Sequence, residues 1–531
     1  MKNRGYVLLY LAAALLGLLL AVYFGSCKRG FYIDEYYTYT LANGNQLGIS
    51  IDNGSWQGTE GVMDQLASDE SENFRLSQVY AATSNNVHPP LYYYLIHLSS
   101  SFYTGRFSKW TGLIVNILLW IPCLVLAGLI SAELSGGKKK LAFAAFLVYC
   151  ISPAILSGLM LIRMYVPLHL FTMLYAYIIL RDMHRDRLSV KGFLLPIFIT
   201  GFLGFMTQYY FVIIMFFFTL FYFLFMVYDG WKDRAFKRPA AFAVTALLSL
   251  VATYFYWPVS IYHIFKGYRG ADSFKSLVSS TNTGSRIALF FGNLNDNVYG
   301  GLLIFAVLTA AAGIWFMVKK GRPGLASLRE RAVLVMGLSA GCYFLVITKI
   351  GLRASYASNR YVFPVYGIFI ILSVIGLYEA LMRIVSRSLA AILTGAIIVT
   401  GLLVAYMSGQ VLFLYTEEEQ LDSFVAAHPD AELLVFNNDD GKYDTRIKDY
   451  IYRDRVYWAR CDHPEDLNDP EIAAAKELLV YTDGDSNFAE SIMNLMDAAP
   501  DLNHMTYVFT TPGGDFEVWY LDSGENPEQA P

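Results

Sequence analysis

Two adjacent carboxylates, Asp34 and Glu35, stand in the run FYIDEYYTYT, within ten residues of the end of an apolar stretch at 6–24. Charge at the edge of a long apolar segment is expensive and usually marks function. A carboxylate partly stripped of water gains proton affinity, which suits a general base. The structural alternative is that the pair caps a short helix, whose N-terminus welcomes anions. Further on, His88 precedes Pro89 and Pro90, and the paired prolines set the direction of the chain into HPPLYYYLIHLSSSFY. The proline pair reads as a rigid turn, and His88 as a hydrogen-bonding partner for a phosphate or carboxylate. In ISPAILSGLMLIRMYVPLHL, Arg163 lies between two apolar runs with no acidic neighbour in sequence, and Tyr165 opens the second run. A guanidinium so placed either snorkels to lipid headgroups or binds a phosphate through its planar fork of donors. The same argument applies to TKIGLRASYASNRYVFPVYG, where Arg353 and Arg360 stand before another run and Tyr361 follows directly. Gln208, Tyr209 and Tyr210 fall at a hairpin of two runs, where they meet a polar substrate or belong to an aromatic belt.

The elements that must position these residues are membrane helices. Of 531 residues, 55% are apolar and only 16% charged, well away from the balance of a soluble domain. Apolar stretches of helical length occur at about 6–24, 109–132, 141–158, 164–180, 193–207, 209–228, 240–263, 298–318, 332–349, 361–382 and 389–414. Eleven spans are expected, all helical, because backbone groups cannot go unpaired in hydrocarbon. The opening run has the look of a signal peptide without a convincing cleavage site, and is read as an uncleaved first span. Basic residues cluster in alternate connections: Lys2 and Arg4, Lys138 to Lys140, Arg181 to Lys191, Lys232 to Arg238, Lys319 to Arg331, and Arg383 with Arg387. By the positive-inside rule these face the cytoplasm, which places the C-terminal segment outside the cytoplasmic membrane.

Residues 415–531 hold 27 acidic against 7 basic side chains, while the rest of the chain holds 17 against 33. Two bodies are therefore expected: a cationic membrane domain at 1–414, with a long outer loop at 25–107, and an acidic soluble α/β domain at 415–531. Neither balance suggests nucleic acid. Within the tail, TEEEQLDSFVAAHP reads as a helix, ELLVFNN and ELLVYT as buried strands, and YVFTTPGGDFEVWYL as a hairpin. HPPLYYYLIHLSSSFY is too short to span, and is read as an interfacial helix with its tyrosines at headgroup depth. The five cysteines lack metal-ligand spacing and read as small core residues.

FYIDEYYT, HPPLYYYLIHL, IRMYVPL and NRYVFPVYG, in that order, resemble the GT-C-fold glycosyltransferases, nearest the protein O-mannosyltransferases and the bacterial aminoarabinose transferases. The resemblance covers about 6–382. It implies that Asp34, with Glu35 beside it, is the catalytic residue of the first outer loop, and that Arg163 and Arg360 contact lipid phosphate. The chain departs from the pattern at Leu161, where many members carry an acidic residue. The first loop has no DxD; no metal ligand and no cofactor are assigned, although some members use a divalent metal.

The reaction implied is attack by an acceptor hydroxyl on the anomeric carbon of a polyprenyl-phosphate sugar, with inversion. The acceptor is a glycan, a lipid or a protein. His88, Arg163, Tyr165, Tyr209, Arg353, Arg360 and Tyr361 are the expected substrate-binding residues. A transporter or flippase of lipid-linked sugars would use a similar polar face, but usually shows internal repeats, and none is visible. A membrane scaffold acting through its acidic tail would not need these polar residues.

Overall fold

The computed structural model describes residues 2–44, 51–185, 187–231, 234–279, 281–319, 327–407, 411–437, 446–451, 453–483, 488–512 and 516–524. Of the basic residues used to orient the spans, Lys232, Lys320 and Arg322 lie outside the described residues, as do Gly513 to Asp515 of the late hairpin. The chain divides into two compact units. One comprises 1–25, 83–95 and 112–412; the other joins 26–82 and 96–111 to 413–531. The long connection at 25–107 thus packs largely with the C-terminal segment.

The first unit is helical. Nine helices among the described residues are long and apolar enough to cross a membrane, and a pair bent by 84°, Thr283–Tyr299 with Leu303–Gly313, makes a tenth. The expected eleven exceeds this by helix Tyr165–Asp182, which forms as expected but is less apolar. Its tyrosines, with His169 and Thr172, serve the protein interior: His169 is fully buried between the Tyr149 hydroxyl at 2.9 Å and the Pro364 carbonyl at 3.0 Å. Several charges near the span ends are paired. Asp182 meets Arg238 at 2.7 Å, His184 meets Glu133 at 2.7 Å, and Arg331 meets Asp229. Glu379 takes Arg329 at 2.9 Å together with Lys138. These contacts gather the basic connections around 138, 185, 238 and 329 at one end of the unit, which is the arrangement their alternation along the chain anticipates.

The segment after the proline pair is helical over Leu91–Ser101, too short to span. Its Tyr92 and Tyr93 are fully buried in protein, so they are not the headgroup-depth residues anticipated.

The second unit is built on a six-stranded mixed sheet: β1 (Ser55–Gly58), β2 (Glu432–Asn437), β3 (Arg455–Arg460), β4 (Glu477–Asp483), β5 (His504–Thr510) and β6 (Phe516–Asp522). Their order is β1-β3-β2-β4-β6-β5. β2 is flanked by β3 and β4 in parallel and is buried along most of its length, as the continuous run LLVF requires. Leu434, Phe436, Tyr457, Leu478, Val480, Leu495 and Leu521 form its core. β1 comes from the connection at 25–107 and pairs antiparallel with β3, Trp56 opposite Tyr457. Cys123, Cys150 and Cys461 are buried and all five cysteines are free thiols, in keeping with small packing residues.

Candidate functional site

Arg163 lies in the four-residue break between helices Pro153–Met160 and Tyr165–Asp182. A break within an apolar layer leaves helix-end carbonyls that need donors. Asn116, fully buried on helix Lys109–Leu134, supplies them, donating to the carbonyls of Leu159 at 3.0 Å and Leu161 at 2.9 Å. The Tyr92 hydroxyl donates to Asn116 Oδ1 at 2.9 Å and holds the amide in that orientation. Leu161 is a buried apolar residue whose carbonyl completes this clasp.

From the clasp the Arg163 side chain, 4% exposed, donates to the Tyr93 hydroxyl at 3.3 Å and to His88 Nε2 at 3.2 Å. Because a guanidinium only donates, His88 Nε2 must accept, so the imidazole is the neutral tautomer protonated on Nδ1. The proline turn therefore brings His88 and Tyr93 onto one guanidinium.

The late arginine reaches the same neighbourhood. Gly158 packs so closely on Phe363 that a side chain there would overlap the ring, and His169 fixes the Pro364 carbonyl. This seats the 3-10 turn Ser355–Tyr361. Arg360, 3% exposed, donates to the Ala357 carbonyl at 2.8 Å and lies 4.8 Å over the Tyr361 ring. Tyr361 meets Tyr165 edge-on at 5.9 Å and Tyr210 at 5.6 Å, and its carbonyl accepts from the Tyr343 hydroxyl at 2.6 Å. The Tyr165–Tyr361 contact thus links the break that carries Arg163, with its partner His88, to the turn that carries Arg360. A buried guanidinium of either kind can hold an oxyanion through charge-assisted hydrogen bonds.

Two expected binding residues stand apart. Tyr209 is committed to Trp257 at 2.9 Å and His263 at 2.8 Å, and its neighbour Tyr210 meets Tyr361 instead. Arg353 is exposed, and its charge acts on Arg286, which donates to the Gly351 carbonyl at 2.6 Å. Sequence reasoning passed over Asn116, Tyr93 and Asn359. Asn116 was detectable as the sole amide in the apolar run LIVNILLWI. Asn359, 5% exposed, accepts from the Tyr366 hydroxyl at 3.0 Å while its Nδ2 has no protein acceptor among the described residues.

Asp34 and Glu35 belong to the second unit, on the first turn of helix Ile33–Asn43. The two carboxylates differ sharply. Glu35 is fully buried; its Oε2 accepts from the Tyr32 backbone N–H at 2.6 Å and pairs at 3.0 Å with Lys28, also fully buried. Burial pushes the Lys28 ammonium below its ordinary pKa, and Glu35 opposes that loss of charge. Glu35 thus fills the capping role set out as the structural alternative. Asp34, on the same turn, is half-buried. Glu35 Oε2 is already taken by an ammonium and a backbone amide. No group of three metal-ligating side chains occurs among the described residues.

No family model matches the sequence, and no curated protein matches it. Solved structures do. The crystal structure of ArnT from Cupriavidus metallidurans bound to undecaprenyl phosphate aligns with a TM-score of 0.53 at 12% identity, covering 97% of this chain and 98% of that one. The same enzyme in the apo state aligns at 0.51 and 12% identity, covering 98% of each chain. The archaeal oligosaccharyltransferase AglB from Archaeoglobus fulgidus gives 0.48 at 12%, over 98% of this chain and 75% of that one. Over nearly its whole length, then, this chain is a multi-pass membrane protein with the GT-C fold of ArnT, including a small mixed sheet toward its C-terminus.

Proposed function

We propose that this protein is a membrane glycosyltransferase that moves a sugar from a polyprenyl-phosphate donor to an acceptor hydroxyl on the outer face of the cytoplasmic membrane. The observation that carries the reading is the presence of two buried arginines, Arg163 on His88 and Arg360 over Tyr361, on a fold that in ArnT accommodates undecaprenyl phosphate. The arginines hold the phosphate and stabilise it as it departs. Asp34 takes the proton from the acceptor hydroxyl as its oxygen bonds to the anomeric carbon, so one displacement inverts that centre. Tyr165 and Tyr361 wall the phosphate site against water. Glu35 orients the turn rather than sharing the proton transfer.

The positive-inside pattern supports an N-terminus in the cytoplasm and the sheet domain outside. No observation favours transport over transfer. The deciding experiment supplies synthetic polyprenyl-phosphate sugars and candidate acceptors to the purified full-length protein in detergent. Release of free lipid phosphate with formation of a glycosylated acceptor supports the reading. Its absence across donors and acceptors, with movement of lipid-linked sugar in vesicles, overturns it in favour of a flippase.

A further inference from the structure

The turn carrying Asp34 is held by charges far away in sequence, all within the second unit. The Lys28 ammonium that pairs with Glu35 also donates to the Phe413 carbonyl at 2.7 Å, and the Arg29 N–H donates to the Leu414 carbonyl at 2.7 Å. Two residues past Asp34, the buried Tyr36 hydroxyl accepts the backbone N–H of Lys448 at 3.1 Å. The Lys448 ammonium reaches the Arg29 carbonyl at 3.2 Å, Glu418 Oε2 at 2.6 Å and Asp422 at 2.9 Å. Glu418 Oε1 accepts from Arg446 at 3.0 Å, and Arg446 also binds Asp449 at 2.6 Å. Glu418 is therefore the carboxylate between two buried cations, and Gly30 lies against it: a Cβ on Gly30 would fall 2.6 Å from the Glu418 carboxyl carbon.

Buried ion clusters of this kind add little stability over apolar packing of the same volume. What they supply is direction, because each charge tolerates only one arrangement of partners. We infer that Glu418, with Lys448 and Arg446, is a positioning group through which the C-terminal segment holds the first turn of helix Ile33–Asn43 and aims Asp34. The inference rests on the reading of Asp34 as the base. It gives the C-terminal segment a part in the reaction without contact with the substrate.

The test uses the full-length protein with Glu418→Gln, Glu418→Asp and Gly30→Ala, and with Glu419→Gln as the control, since Glu419 pairs with Arg29 at the exposed surface. A displacement of the base by about 1 Å lowers turnover by roughly 10- to 100-fold. Glu418→Gln and Gly30→Ala are expected to lower kcat to that extent with donor KM within about twofold of the parent, whereas a group acting through substrate binding would move KM. Glu418→Asp should recover part of the loss, and Glu419→Gln should lose nothing. A second reading is independent of activity. In a background where Cys27 and Cys342 are replaced by Ser, an Asp34→Cys thiol should react severalfold faster with a bulky maleimide once Glu418→Gln or Gly30→Ala is added. Should Glu418→Gln fail to fold, Gly30→Ala carries the same test. An unchanged labelling rate overturns the clamp, and faster labelling with parental kcat overturns its role in positioning. Faster labelling in a protein that transfers no sugar upholds the clamp and refutes the proposed reaction instead.

Discussion

Asp34 and Glu35 are neighbours of the same charge, and the structure requires their neutral amides to fail in opposite ways. In Glu35→Gln, the Lys28 ammonium keeps its burial and loses its counter-charge; both side chains of the pair are fully shielded, at 0% exposure. Removing one partner of such a pair costs about 3–5 kcal/mol, because the remaining ion is left without compensation. The weakened cap at the Tyr32 N–H adds about 0.5–2 kcal/mol. For a unit of about 150–250 residues each kcal/mol lowers Tm by roughly 2–4 °C, so Glu35→Gln should melt about 7 °C or more below the parent. Asp34 is half-buried, and Asp34→Asn should leave Tm nearly unchanged while lowering turnover about 100- to 10,000-fold. Intrinsic fluorescence reports the melt, since Trp56, Trp458 and Trp519 sit in or against the sheet. The double variant Lys28→Met with Glu35→Gln should recover much of the lost stability, because it removes the stranded charge. A Glu35→Gln protein that melts with the parent, or an Asp34→Asn protein that turns over at the parental rate, would refute the division of roles.

Other outcomes follow from the same structure. Arg163→Ala and Arg360→Ala should each weaken use of a lipid-phosphate donor by about tenfold or more, the worth of one charge-assisted contact, with Lys restoring only part; parental donor KM and kcat in both variants would remove the arginines from the reaction. Glu418 lies below the ordinary carboxylate pKa: burial alone would raise it, but Arg446 and Lys448 together lower it. A depressed acid stabilises the fold above its unfolded pKa, and loses that contribution as pH falls through its folded value. The Tm gap between parent and Glu418→Gln should therefore be full at pH 6 and close below about pH 4; a gap independent of pH counts against the ion cluster. A membrane-impermeant thiol reagent applied to intact cells should modify a cysteine placed at Ser523 but not one at Lys139. The reverse pattern would invert the orientation.

Much of this protein was legible along the chain. Span length is a local property, read from consecutive apolar residues, and so is the alternation of basic connections that the ion pairs of Glu379 and Asp182 later bring to one end. Arg163 and Arg360 could be singled out because a cation in an apolar run has few uses, and β2, β4 and the late hairpin follow from short runs of apolar residues between turns. What the sequence left open is non-local. Asp34 and Glu35 looked alike until folding brought Phe413, Glu418 and Lys448, nearly 400 residues away, against their turn and fixed Lys28 where its ammonium meets Glu35. Tyr209 and Tyr210 differ by one position, yet packing commits the first to His263 and turns the second toward Tyr361. Adjacent side chains on a turn point in different directions, and which neighbour each one meets is settled only when distant segments close over them. The spans could be read from composition because hydrocarbon rewards every apolar residue alike, while the site depended on tertiary structure because hydrogen bonds and ion pairs reward only particular partners at particular distances.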